Sequence, residues 1–553
     1  MTQMKRRELI LGASASLTAM ALGRPMRAQT AQGFVVAKTR HGKLRGVRTD
    51  GVEIYRGVPY AGPVSGTNRF KPAPPLASWT GIRDALDPGP PSIQPQQGGT
   101  FGLKLPTEPS EDCLTLNVWT PASDARRRPV MLYNHGGGFT TGSASGPIQD
   151  GAQLARLYDV VVVATNHRLG LLGFLYLGDL GGEEYVGSGN QGMLDIVDGL
   201  RWIRHNIEAF GGDPDNVMVF GESGGGVKTS VVYAMPSAEK LFNKASIESG
   251  PGIRVTEPDT AASTTQAVLT ELGIASTEWR KLLEVPAARL LEVQVKLASR
   301  HQNDRQAGDR KGLGDAGPGG FGPVLDGKVL LQHPFDPTPP AFSRNKPLLV
   351  GYNHDENDFF ALVSDDIAAF NLDEQGLKVR LQKEIPEHWE ETLATYKASR
   401  PEASPADLYC AIRTSRFDGT GSTVIAERKS AQGGAPAFQY IFSYRLEAKL
   451  PGTDRPIGAM HALDIPFKFN NVSNMSVNGG PNMAGARPER IKAGRNMSEM
   501  WTTFARTGRP AAQGQPTWPA YTLEARDTMV IDSECKVVSD PWPLERKLWE
   551  KIG

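Results

Sequence analysis

The period of apolar positions changes along this chain, and the changes mark its elements. Residues 34–60 carry short runs, Gly42-Lys43-Leu44-Arg45-Gly46 and Ile54-Tyr55-Arg56-Gly57-Val58-Pro59-Tyr60, separated by turn residues, which predicts strands of an antiparallel N-terminal edge. Residues 110–121 alternate apolar and polar side chains as a half-buried strand does. Farther on, apolar runs at 130–134, 160–165, 217–220 and 347–351 read as buried strands, and 245–249 and 438–444 read as further strands. Between them the spacing lengthens: Met193, Ile196, Val197, Leu200, Ile203, Ile207 and Phe210 fall three or four apart, one core-facing stripe of a long helix that opens near Asn190. Further helical segments are expected at 225–234, 258–310 and 377–399. Strand and helix in alternation imply an α/β protein with a large, mostly parallel central sheet, right-handed crossovers and helices on both faces. The segment 258–310 reads as a helical insertion over the sheet's C-terminal edge, where open α/β sheets bind ligands.

Composition narrows the function. Lys and Arg total 61 against 60 acidic residues, so no broad basic field speaks for nucleic acid. No uninterrupted apolar run reaches the ~20 residues of a membrane helix, and no membrane span is expected in the mature chain. Cys113, Cys410 and Cys535 lie far apart without metal-ligand spacing, and at most one disulfide could form. At the N-terminus, Lys5-Arg6-Arg7 precedes a mildly apolar stretch, so residues 1–31 are expected to be an export signal of twin-arginine type and the mature protein periplasmic or secreted. Residues 32–553 are then expected to form a single domain. The Gly-, Pro- and Gln-rich stretch 88–109 predicts a long loop overhanging the site. Gly312 to Gly317 matches G-x-G-x-x-G, but no strand precedes it, and the dinucleotide reading fails.

The chemistry concentrates at Gly221-Glu222-Ser223-Gly224-Gly225, where a buried run breaks into a helix. This is a nucleophile elbow: a serine hydroxyl attacks only if it is projected to where a base can reach it, and flanking glycines make room for the sharp turn. A second glycine run, His135-Gly136-Gly137-Gly138-Phe139, also follows a buried strand, and side-chain-free residues let backbone amides approach a developing oxyanion. Both motifs belong to serine hydrolases of the α/β-hydrolase class, in which an acid and then a histidine follow the serine along the chain. Asp355 or Glu356, beyond the strand at 347–351, could supply the acid, and spacing alone leaves both open. The order admits His301, His333, His354, His388 and His461 as base. Of these, His461 lies in a separate loop after a late strand and is the candidate.

With these segments assembled, the chain resembles the type-B carboxylesterases, the family that includes cholinesterases and bacterial para-nitrobenzyl esterases. The resemblance runs from about Val35 to near the C-terminus and rests on residues 55–61, 111–114, 135–139, 210–214, 221–223 and 355–356. It implies an α/β-hydrolase fold, hydrolysis of small-molecule carboxylic esters through an acyl-enzyme, and no cofactor or metal. It further implies Glu356 rather than Asp355 as the acid beside Ser223 and His461, oxyanion donors at Gly137, Gly138 and Gly224, and supporting polar residues at Ser249 and Asp464. Three departures stand out: Gly224 where relatives carry Ala, and Asn357 and Ala462 where they carry Gly. Ser92 stands where many relatives have the disulfide partner of Cys113, so the 88–109 loop is expected to be freer. Hydrolysis of amides or carbamates, and a non-catalytic binding role, are the alternatives. The intact set Ser223, Glu356 and His461 speaks against the second.

Overall fold

The computed structural model describes residues 33–95, 105–305, 320–473 and 482–553; the segment expected to be an export signal and the glycine run at 312–317 lie outside them. Among the described residues, one sheet is built from β1 (Gly33–Lys38), β2 (Lys43–Thr49), β3 (Val52–Pro59), β4 (Ile82–Asp84), β5 (Thr115–Thr120), β6 (Arg128–Asn134), β7 (Val161–Thr165), β8 (Gly212–Glu222), β9 (Lys244–Glu248), β10 (Leu348–Asn353), β11 (Ala437–Phe442), β12 (Asp527–Ile531) and β13 (Lys536–Ser539). Their order is β1-β2-β3-β5-β7-β6-β8-β9-β10-β11-β12-β13, with β4 beside β2. From β7 to β12 neighbours run parallel, while β1, β2, β3 and β5 form the expected antiparallel edge.

Why the central strands read as unbroken apolar runs is visible in their packing. Along β6 and β8, Val130, Leu132, Val217 and Val219 enter one core, while Met131, Tyr133, Met218 and Phe220 enter a second core on the opposite face. A strand covered on both sides has no polar phase. The predicted stripe from Met193 to Phe210 lies wholly in the first core, on the helix Gln191–Asn206 and the short turn after it. The second core is closed by the helix Glu489–Thr507 through Met497, Met500, Trp501 and Phe504.

Two expectations need correction. The strand predicted over 110–121 is shorter: Thr115–Thr120 pairs, and it is buried rather than half-buried because it lies inside the sheet between β3 and β7. Ahead of it, Asp112 turns its carboxylate to the N–H groups of Val64 and Ser65 and breaks the alternation. The helix predicted over 377–399 is two helices, Glu374–Glu384 and Trp389–Ser399, interrupted around Pro386, which cannot donate a helical hydrogen bond.

The register decides where function can lie. Asn134 pairs with Gly221, Glu222 with Glu248, Gly351 with Glu248, and Asn353 with Phe442. The C-terminal ends of β6, β8, β9, β10 and β11 therefore line one edge, and the segments that leave them carry the glycine run, the elbow, the candidate acid and the candidate base.

Candidate active site

Ser223 sits between β8 and the helix Gly224–Ala234 with φ 59° and ψ −125°, a conformation non-glycine residues rarely adopt. Holding it costs about 1–3 kcal/mol, offset by the bond from its N–H to Glu248 O at 2.9 Å and by the packing of both flanks. A Cβ at Gly225 would come within 2.0 Å of Asn134 O, so the elbow and the end of β6 can be this close only with glycine there. Ser223 remains half-exposed between buried neighbours.

On one side of the serine stand the predicted base and acid. His461 is buried, and its Nδ1 donates to Glu356 Oε2 at 2.6 Å. Glu356 Oε1 accepts the Asn353 N–H, also at 2.6 Å. With donors on both oxygens the group is built to be a carboxylate, although burial works to raise it well above the ordinary glutamate value. The Ser249 hydroxyl favours the charged form from close by, but its Oγ has no partner in hydrogen-bond geometry. His461 Nε2 likewise carries no hydrogen bond, to Ser223 or otherwise, and lies 3.5 Å from Oε1 of Glu222, the residue just before the serine. Asp355 does other work: it accepts the Ala459 N–H at 3.0 Å and fastens the base's loop to the acid's loop. Asn353 Nδ2 adds a bond to Met460 O at 2.8 Å.

The departures from the family pattern now have physical readings. Asn357 needs no special conformation, because it lies in the helix Glu356–Val363. Ala462 does adopt the left-handed region, at φ 66°, held there by the bond from its N–H to Glu222 Oε1 at 3.0 Å. Gly224 is required as glycine in this arrangement: a Cβ there would lie 2.4 Å from backbone atoms of Gly138. Gly137 and Gly138 both have positive φ, 82° and 60°, so the loop's amides reach the elbow in a conformation open to glycine.

Asp464 makes no hydrogen bond to His461. It accepts from Asn353 Nδ2 at 3.3 Å and pairs with Lys468 at 2.7 Å, and Lys468 also pairs with Glu248. Trp501 Nε1 donates to Glu248 at 2.5 Å. Sequence reasoning missed Lys468, although its place one helical turn after Asp464 was a signal. It also missed Asp418, for which no motif existed. Asp418 lies in the π-helical turn Ser415–Gly419, and its ligand atoms and those of Glu356 and His461 all lie within 4.8 Å of one another. Such a trio could hold a cation on spacing alone, but the His461 to Glu356 bond already engages the imidazole face nearest the acid. Phe360 and Phe359 wall the base, with ring centroids 4.8 and 5.6 Å from His461.

Of the other histidines, His333 is fixed by the Val255 N–H and by Glu257, and His354 pairs with Asp355. The three cysteines are free and buried. Ser92 is itself buried and accepts the Leu169 N–H at 3.1 Å, while residues 96–104, the middle of the loop expected to be freer, lie outside the described residues. Gln94 exchanges two hydrogen bonds with Gly142, so the start of this loop is tied by polar contacts.

The sequence pattern of the carboxylesterase family matches residues 34–547. The chain belongs to that family. It is 35% identical to the para-nitrobenzyl esterase of Bacillus subtilis, over 94% of this chain and 99% of that one. It is 31% identical to the phenmedipham hydrolase of Pseudarthrobacter oxydans over 90% of this chain and 95% of that one. Among solved structures, the carboxylesterase of Geobacillus stearothermophilus at pH 6.2 superposes with a TM-score of 0.78 at 37% identity, covering 93% of this chain and 99% of its own. The fold is that of the α/β-hydrolases, and the carboxylesterase is a hydrolase of carboxylic esters. No helix among the described residues is long and apolar enough to cross a membrane.

Proposed function

We propose that this carboxylesterase works through Ser223 as nucleophile, His461 as general base and acid, and Glu356 as the carboxylate that orients and balances the imidazole. The observation that carries the reading is the 2.6 Å bond from His461 Nδ1 to Glu356, which leaves Nε2 as the open nitrogen on the side of the elbow. Nε2 takes the proton of Ser223 as the hydroxyl attacks the ester carbonyl, and amides of Gly137, Gly138 and Gly224 receive the oxyanion. The imidazolium then protonates the leaving alcohol. Water, activated by the same nitrogen, releases the acid from the acyl-enzyme. Active serine labelling tests this: a fluorophosphonate should modify Ser223 in a one-to-one ratio and abolish turnover, and labelling elsewhere, or turnover that survives labelling, would sink it. Residues 1–31 are read as an export signal, which replacing Arg6 and Arg7 by Lys should block, with precursor retained inside the cell.

A further inference from the structure

Behind the oxyanion loop lies a group of side chains that the mechanism does not use. Lys228, one turn into the elbow helix, is fully buried, and among the described residues no carboxylate is its hydrogen-bond or ion-pair partner. Its ammonium donates to His135 O at 2.9 Å and stands 5.8 Å from the centroid of the Phe139 ring. It thus bonds the residue before Gly136-Gly137-Gly138 and faces the ring of the residue after it. The peptide whose oxygen it holds continues into Gly136, where a Cβ would lie 3.5 Å from Ser223 Cβ. Next to this amine, the His135 and His167 rings stack with centroids 4.5 Å apart, and both nitrogens of His167 are buried without a partner.

Building on the acyl-transfer reading, we infer that Lys228 is a positioning residue of the oxyanion loop: its ammonium clamps residues 135–139 behind Ser223 and directs positive potential at the oxyanion. An ammonium buried without a carboxylate is costly to the fold, and such costs persist where function uses them. A buried cation acts through a poorly screened medium, and its potential favours the transition state, where the negative charge appears, over the neutral ester.

The surrounding groups leave this field unopposed. Burial, and then the ammonium itself, push His135 and His167 well below the ordinary histidine value, so both are neutral. Glu222, at the end of β8, and Glu248, at the end of the neighbouring β9, engage Ala462, Lys468 and Trp501. Asp195, on the neighbouring helix Gln191–Asn206, is held by Arg168. Burial lowers Lys228 to about 7, so the field should fade as pH rises through neutrality.

The test compares Lys228→Met and Lys228→Arg with the wild-type enzyme, using para-nitrophenyl esters and a trifluoromethyl ketone that forms a tetrahedral adduct. Fluorophosphonate titration of each sample counts folded sites, so only competent molecules enter kcat. For Lys228→Met we expect kcat to fall ~10- to 100-fold with KM within about 3-fold, the ketone to weaken in parallel, and the ratio of wild-type to variant kcat to shrink from pH 6 to pH 9. Lys228→Arg should recover much of the loss, and its advantage over Met should not fade with pH. The inference is overturned if Lys228→Met keeps kcat and ketone affinity within about 2-fold, or if Met and Arg lose activity equally at every pH. A wild-type enzyme unlabelled at Ser223 would instead overturn the acyl-transfer reading, and this inference with it.

Discussion

The two walls that face Ser223 are built from opposite materials. The acid–base wall buries Glu222, Glu248, Glu356, Asp418 and Asp464 around His461, with Lys468 pairing two of these carboxylates. The oxyanion wall is glycine backbone, two neutral imidazoles and the single amine of Lys228. One elbow separates an acidic environment from a weakly positive one. This sorting suits the proposed acyl transfer, in which a proton would move to His461 while negative charge would appear on the other side. An imidazolium is welcome near carboxylates, and an oxyanion is welcome near N–H donors and an ammonium.

Removing the group between the walls has the largest expected effect. Ser223→Ala should lower kcat/KM by ~10⁴-fold or more with little change in Tm, since alanine keeps the β-carbon and with it the strained backbone conformation. Steady-state hydrolysis per mole of purified folded protein measures it, and retained burst kinetics would refute the assignment. Next, Glu356→Gln tests whether the acidic wall acts through charge: kcat should fall ~10³- to 10⁴-fold, because an amide holds His461 in the wrong tautomer. Equal losses from Asp355→Asn would contradict the division of labour between these neighbours.

On the opposite wall, Gly224→Ala places a methyl 2.4 Å from Gly138 backbone and must push the loop away. A ~10-fold or larger fall in kcat with little change in KM is expected, and unchanged kinetics would mean that the loop moves freely. Glu222→Gln probes the acidic wall through stability. Burial raises Glu222 to about 8, so the folded chain keeps a proton that the unfolded chain gives up from the ordinary glutamate range to about pH 8, and this group's contribution to stability falls as pH rises through that window. Glutamine should flatten this slope and raise Tm at pH 8 by about 1–3 °C relative to pH 5, read by calorimetry. The smallest effect is expected of Asp418→Asn, which keeps the side chain's size beside His461: kcat/KM should fall by less than about 3-fold in steady-state assays, and a loss as large as that of Glu356→Gln would contradict the ranking.

What could be read in the chain beforehand was whatever depends on neighbours in sequence. Alternation and apolar runs gave the edge, the buried strands and the helix stripe, because each reports which faces of an element are covered. The elbow and the glycine run were legible because a sharp turn and a close backbone approach demand glycine at fixed offsets. The strand at 110–121 and the helix at 377–399 were overextended where Asp112 and Pro386 redirect local backbone bonds.

Which charges face one another was settled only by folding. Glu356 and His461 are 105 residues apart, Glu222 and Ala462 240, and the ammonium of Lys228 meets the His135 carbonyl across 93. Asp355 and Glu356 are alike as a sequence pair, but successive backbone positions at a helix start point apart, and one reaches Ala459 while the other reaches the imidazole. Parallel strand register lines up the ends of β6, β8, β9 and β10, and the loops beyond them bring distant polar groups into buried surroundings where bulk solvent screens them little. Local pattern thus chose the elements and the reacting residue types, whereas the sheet alone decided which of the many charges would share one buried neighbourhood.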